Sequence, residues 1–204
     1  LNAIRAQVND KRQYAQKRLI EEMCASEPFG VDKLGSEERA KSITVPRLWD
    51  QYQKLLREAW IELYYCGSAP LERVKTALAA ALEGLPYSEK RIRPPKPDEP
   101  AAPAEPKVVE ESLEVTQGKL TLGFRTGITA WDGDYPALAL LNAIYGGTTT
   151  SKLFMNVREK LSLCYYASSG LMKYKGIMLV SSGVEFDKFQ AAREEIMAQF
   201  LACR

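Results

Sequence analysis

The run LPYSEKRIRPPKPDEPAAPAEPK, residues 85–107, holds most of the chain's 11 prolines and constrains the fold more than any other feature. Proline removes a backbone donor and fixes φ, so a run this dense enters neither a helix interior nor the middle of a sheet. It is also polar, buries too little apolar surface to fold by itself, and reads as an extended linker at ~3.1 Å per residue. Folding must therefore come from residues 1–85 and 108–204, with 86–107 as the link between them.

The first part is mostly helical. Residues 1 to about 27 read as one helix with few breakers, followed by the loop EPFGVDKLGSEE. Ser36 caps a short helix, and Thr44 with Pro46 opens a longer one carrying the apolar stripe Leu48, Trp49, Tyr52, Leu55 and Leu56. WIELYYCG, 60–67, is rich in β-formers and reads as a strand, and Pro70 starts another helix. The second part opens with two candidate strands, VVEESLEV and KLTLGFRTG, separated at Gln117–Gly118. Two apolar helices follow, DYPALALLNAIYGG and TSKLFMNVREKL. LCYYASSGLM and GIMLVSSGV then form an antiparallel pair across Lys173–Lys175, and a last helix runs on from Glu185. Sequential antiparallel strands with helices on one face make the class α+β. The strands near 60–66, 108–126 and 163–183 are expected to join one antiparallel sheet.

Composition removes several functions. A net charge of +2 with no Lys/Arg block leaves no electrostatic footprint for nucleic acid. No apolar run is long enough for a membrane span, and no signal peptide opens the chain. The sequence begins at Leu1 within a helical pattern and stops at Arg204 within another, as a segment of a longer protein would. Cys24, Cys66, Cys164 and Cys203 are scattered without a CxxC pair. They read as free thiols of a reducing, cytoplasmic compartment rather than as zinc ligands. There is no histidine, so the commonest acid–base and metal-binding side chain is missing.

One stretch stands apart: GGTTTSKLFMNVREKLSLCYY, 146–166. Gly146 and Gly147 can end a helix in the left-handed conformation and reverse the chain, and Thr148–Ser151 offer caps for the next helix. Leu153, Phe154, Val157 and Leu161 form that helix's buried stripe. Arg158 lies beside the stripe near the C-terminus, where a cation is favoured by the helix dipole in any case. The glycine pair has no phosphate role, since no P-loop Lys-Ser/Thr follows. The pairs Glu110–Glu111 and Glu194–Glu195 read as solvated faces.

The pattern Gly-Gly-x-x-x-Ser-x-Leu-Phe-x-x-Val-Arg-Glu-Lys-x-x-Leu-x-Tyr resembles the signature of the C-terminal homologous domain of the pitrilysin family of zinc peptidases, which includes insulin-degrading enzyme and the mitochondrial processing peptidase. KLTLGFRTG and DYPALALLNAIYGG resemble the strand and helix that precede it, and WIELYYCGSAP resembles part of the family's N-terminal domain. NDKRQYAQKRLIEEMCASEPFG and LWDQYQKLL resemble a bacterial subgroup that often lacks metal ligands and occurs beside an active paralogue.

The resemblance implies a processing-peptidase-like (LuxS-like) metallopeptidase fold. On this reading 1–85 is the second half of the N-terminal peptidase-like domain and 108–204 the first half of the C-terminal one. Family zinc is held by His-x-x-Glu-His and a distal glutamate. The histidine motif has no counterpart in this chain, and the glutamate would fall near Asn2, Ala3 and Ile4, none of them a carboxylate. The expectation is therefore no cofactor in this chain and no catalytic residue.

The resemblance further implies that Arg158 and Tyr165 contact a substrate's backbone carbonyl. Tyr166 would face the other way on an alternating strand. A guanidinium and a phenol suit a carbonyl because both donate hydrogen bonds. The expected partners are a peptide or protein substrate and an active peptidase paralogue or a second copy. Two alternatives stand beside this: a piece of a working zinc metalloendopeptidase, and a structural assembly scaffold.

Overall fold

A computed structural model describes residues 1–85, 91–93 and 100–204. Residues 86–90 and 94–99, about half of the proline-rich run, fall outside the described residues. The chain forms two compact units, Leu1–Glu37 with Pro97–Arg204, and Glu38–Lys96.

The larger unit is built on a three-stranded antiparallel sheet in the order β1–β3–β2, formed by β1 (Gly118–Arg125), β2 (Cys164–Met172) and β3 (Ile177–Val184). Central β3 pairs Val184 with Gly118 and Ile177 with Arg125 on one side, and Ile177 with Met172 on the other. The β2–β3 hairpin closes at Gly176, whose φ of 65° glycine adopts without steric cost.

Alternation then sorts the side chains. Leu120, Ala167, Met178, Val180 and Val184 lie buried on one face, with Leu122 and Phe124 partly buried beside them. That face is covered by α6 (Tyr135–Asn142), a π-helical turn (Ala143–Gly147), the π-helix Leu153–Lys160 and α7 (Phe189–Leu201). Tyr145 packs edge-on to Phe200, and its buried hydroxyl donates to the Ile196 carbonyl at 3.0 Å.

The opposite face carries Thr121, Gly123, Ser181 and Gly183, and helix α2 (Lys11–Met23) lies against it. A Cβ on Gly123 would sit 2.6 Å from Met23 Sδ, so the glycine is what lets the helix approach. Arg12 donates to Ser168 Oγ at 3.2 Å, and its guanidinium lies 4.3 Å from the Tyr166 ring centroid. Beyond the end of α2, Glu27 is buried in ion pairs with Arg125 of β1 and Lys175 of the hairpin turn.

Several expectations change. The first helix is not continuous: α1 (Asn2–Ala6) and a 3₁₀ turn stop at Asp10, which caps α2 by accepting from Gln13 N at 3.0 Å. Residues 108–115 form no strand. Glu111 is exposed, as a solvated charge should be, and also accepts from Arg18 at 2.6 Å and from Tyr14 at 3.1 Å, tying this segment to α2. The glycine pair takes no left-handed conformation: a Cβ on Gly146 would meet Ser169 N at 2.6 Å, so its role is close packing on β2.

Leu161 is exposed rather than buried, because the helix before it is wound wider than an α-helix. Leu161 N reaches back five residues to Asn156 O at 3.0 Å, and Leu163 takes the place beside the core. Leu153 and Val157 are fully buried and Phe154 partly so, each full burial contributing roughly 1.5–3 kcal/mol.

In the smaller unit, Thr44 caps α4 (Val45–Glu58) through Arg47 N, and α5 (Leu71–Leu82) starts after Pro70. The strand expected at 60–67 does not form. A single bridge joins Ala59 to Ile92, and Trp60, Leu63, Tyr64 and Tyr65 stay exposed. β-Forming side chains make a strand only when a partner supplies the ladder and the cover. Neither this segment nor 108–117 enters the sheet.

Candidate functional site

The π-helix ends in a wide reversal. Leu163 N donates to Val157 O at 3.0 Å, Ser162 N donates to Arg158 O at 3.1 Å, and Ser162 sits at φ 50°. This turn aims the helix end and the start of β2 at one depression of about 400 Å³, lined by Arg158, Leu163, Cys164, Tyr165, Glu185 and Lys188 among others. Both residues singled out from the sequence, Arg158 and Tyr165, therefore line the same hollow.

Their settings differ. The Arg158 guanidinium stacks 4.7 Å from the Phe154 ring centroid and reaches Glu159 at 3.5 Å, with its side chain 40% exposed. Tyr165 occupies a β-bulge: Cys164 pairs with Val184 and Tyr166 with Gly183, leaving Tyr165 as the extra residue. A bulge re-aims the side chain at its position. Cys164 accordingly packs toward the core, Tyr166 lies under Arg12 on the α2 face, and Tyr165 projects outward, 51% exposed.

Two further residues complete the hollow, and the sequence reading did not single them out. Glu185 accepts from the Tyr165 hydroxyl at 3.0 Å and pairs with Lys188 at 3.0 Å. The hydrogen bond to Glu185 raises the Tyr165 pKa. Hydrogen bonds from Lys188 and Tyr165 hold Glu185 below the usual carboxylate range, and Glu185 raises Lys188 in turn. The i, i+3 spacing of Glu185 and Lys188 is the one signal that could have found them. Burial pushes the Cys164 thiol up against the opposing Ser182 hydrogen bond and Arg158 charge, so it stays protonated and is a poor nucleophile.

The set is thus two cations, the carboxylates of Glu159 and Glu185, and a phenol. It can grip carbonyls, carboxylates and amides through the donors of Arg158 and Lys188 and the phenol of Tyr165. The donors for zinc do not fit. Among the described residues no three Cys, Asp or Glu side chains lie close enough to hold a metal ion, and the sequence has no histidine.

Residues 42–203 match the family model described as the peptidase M16 inactive domain. The chain belongs to that family. The pattern at 146–166 lies inside the matched span, and the pitrilysin-type resemblance it carries is to this same group. This M16 inactive domain is 38% identical over 201 residues to the probable inactive metalloprotease YmfF of Bacillus subtilis, covering 98% of the chain and 46% of that relative.

Among solved structures, a conserved protein from Enterococcus faecalis V583 matches with a TM-score of 0.77 at 28% identity, over 97% of this chain and 46% of that one. The peptidase M16 inactive domain from Pseudomonas fluorescens matches with a TM-score of 0.76 at 20% identity, over 99% and 48%, and so agrees in fold. The chain therefore spans about half the length of the relatives it matches. No described helix is long and apolar enough to cross a membrane.

Proposed function

We propose that this M16 inactive domain holds an extended peptide without cutting it, as one wall of a binding chamber completed by an active peptidase-family subunit. The observation that carries the reading is the convergence of Arg158 and Tyr165 on one open hollow. A guanidinium there offers charge-assisted donors to a backbone carbonyl. Among the described residues no group of donors gathers that could hold zinc, and the sequence has no histidine, which favours holding over metal chemistry within this chain.

The test is binding of a fluorescein-labelled, unstructured peptide measured by anisotropy. Arg158→Ala should weaken it about tenfold or more, as for a hydrogen bond to a charged group, with the circular dichroism spectrum unchanged. Equal affinity for the two proteins would end this reading.

The role as partner of an active peptidase subunit draws on a separate observation. Val45, Leu48, Trp49, Tyr52 and Leu55 form an exposed apolar stripe along α4, and contiguous exposed apolar surface marks interaction sites. Sedimentation of this chain mixed with an active peptidase of the family should show a heavier species. That species should be lost with Leu48→Ser and Trp49→Ser together.

A further inference from the structure

The hollow holds a hydrogen-bond arrangement that changes what its phenol can do. A tyrosine hydroxyl has one proton to donate and lone pairs with which to accept. Glu185 takes that proton at 3.0 Å, and an ionised carboxylate can only accept, so the direction of the bond is not in doubt. Lys188 holds the other carboxylate oxygen at 3.0 Å and favours the ionised form. The outward phenol oxygen therefore presents lone pairs to the hollow, while Arg158 in the same wall presents only N–H groups.

We infer that Glu185 is a positioning residue that commits the Tyr165 proton, so that Tyr165 accepts a hydrogen bond from a peptide N–H while Arg158 donates to a carbonyl. The inference rests on the peptide-holding reading above and deepens it. Two donors would grip two carbonyls. A donor and an acceptor in one wall instead read the alternating C=O and N–H of an extended strand, independent of side chains. The ligand class that follows is an extended backbone with a free amide N–H. An ester or an N-methylated link at that point fits poorly, because an acceptor would face an acceptor.

The bulge at Tyr165 fits this arrangement. Without the extra residue the phenol would follow strand alternation; with it, the hydroxyl meets Glu185, the residue just after β3 and beside the Cys164–Val184 pair.

The test uses the full chain with a fluorescein-labelled, unstructured peptide and a series in which one backbone amide at a time becomes an ester. At one position the ester should bind wild-type protein about three- to tenfold more weakly than the amide, the worth of one net hydrogen bond. Tyr165→Phe should bind both ligands alike at that position. Glu185→Ala should shrink the discrimination at least twofold, because the freed hydroxyl can turn its proton toward the ester. That loss of amide–ester discrimination is the readout a merely structural role for Glu185 would not move; the Tyr165 phenol should also titrate at lower pH in that variant, as the hydrogen bond that raises it is gone.

Wild-type binding that is indifferent to every ester overturns the inference while leaving peptide holding intact. Discrimination that survives Tyr165→Phe or is undiminished in Glu185→Ala overturns it as well. Failure of wild-type protein to bind any member of the series sinks the peptide-holding reading, and this inference with it.

Discussion

Ser162 is the residue where chain geometry and side chain disagree most, since it is the one described non-glycine residue at positive φ. A left-handed L-residue costs roughly 1–2 kcal/mol, part of which glycine returns as unfolded-state entropy. Ser162→Gly should therefore stabilise the protein by about 0.5–1 kcal/mol, read as a higher urea midpoint at unchanged slope. A lower midpoint would mean that the hydroxyl contributes something the backbone does not show. Gly146 is the reverse case. Its absent Cβ leaves room for Ser169 N and for Leu153 Cδ1, which would lie 2.6 and 2.7 Å away. One of these is backbone in the sheet and cannot give way. Gly146→Ala should cost about 1–3 kcal/mol, as overpacking does, and a thermal melt indistinguishable from wild type would contradict that packing.

At the scale of elements, the buried charges fasten α2 to the sheet. Glu27 joins Arg125 and Lys175, and Arg125 also donates to Met23 O at 2.7 Å at the end of the helix. Burial pushes the Glu27 carboxyl up, but hydrogen bonds and charge from Lys175 and Arg125 outweigh it, and the net pKa is lowered. A carboxylate depressed in the folded state contributes stability that is complete above its unfolded pKa, near ~4.3. That contribution is lost as pH falls through the lower folded value. Urea unfolding of wild type should weaken across that acidic window, and Glu27→Gln should lack this component. At neutral pH the variant should be less stable by about 3–5 kcal/mol, because two cations stay buried without their anion. Parallel pH profiles for the two proteins would remove the latch. The α4 stripe behaves differently: its side chains are already exposed, so Leu48→Ser should change stability by no more than about 0.5 kcal/mol.

For the whole molecule, the donor inventory bears on zinc. A family peptidase needs imidazoles and carboxylates converging on zinc, and the described residues bring no such group together. Calorimetric titration with zinc should show no stoichiometric site. The purified chain should leave an unstructured peptide intact with or without chelator, and chelator-sensitive cleavage by a clean preparation would refute this. Covering about half the length of its relatives, the chain presents a three-stranded sheet with β1 and β2 at its edges.

What the sequence determined by itself was local or compositional. The runs LCYYASSGLM and GIMLVSSGV gave the β2–β3 hairpin, and KLTLGFRTG gave β1. Thr44 with Pro46 gave the start of α4, and the spaced pattern at 146–166 gave the family and pointed to Arg158 and Tyr165, which line one hollow. The histidine count alone removed the usual zinc ligands. Tertiary structure decided everything that depends on a partner far along the chain. WIELYYCG has the composition of a strand, yet among the described residues the bridge to Ile92 is made by Ala59 just before it, because a ladder needs a second strand that propensity cannot supply. Helix α2 lies on the small, polar face of the sheet because Gly123 and Thr121 admit it and Glu27 finds two cations brought near by β1 and the hairpin turn. The widening of the π-helix, which moves Leu161 out and Leu163 in, has no mark in the spacing of apolar residues. The acceptor for Tyr165 lies 20 residues away at Glu185. It comes within reach because a bulge shifts one strand against the next, and pairing register is a property of two strands together.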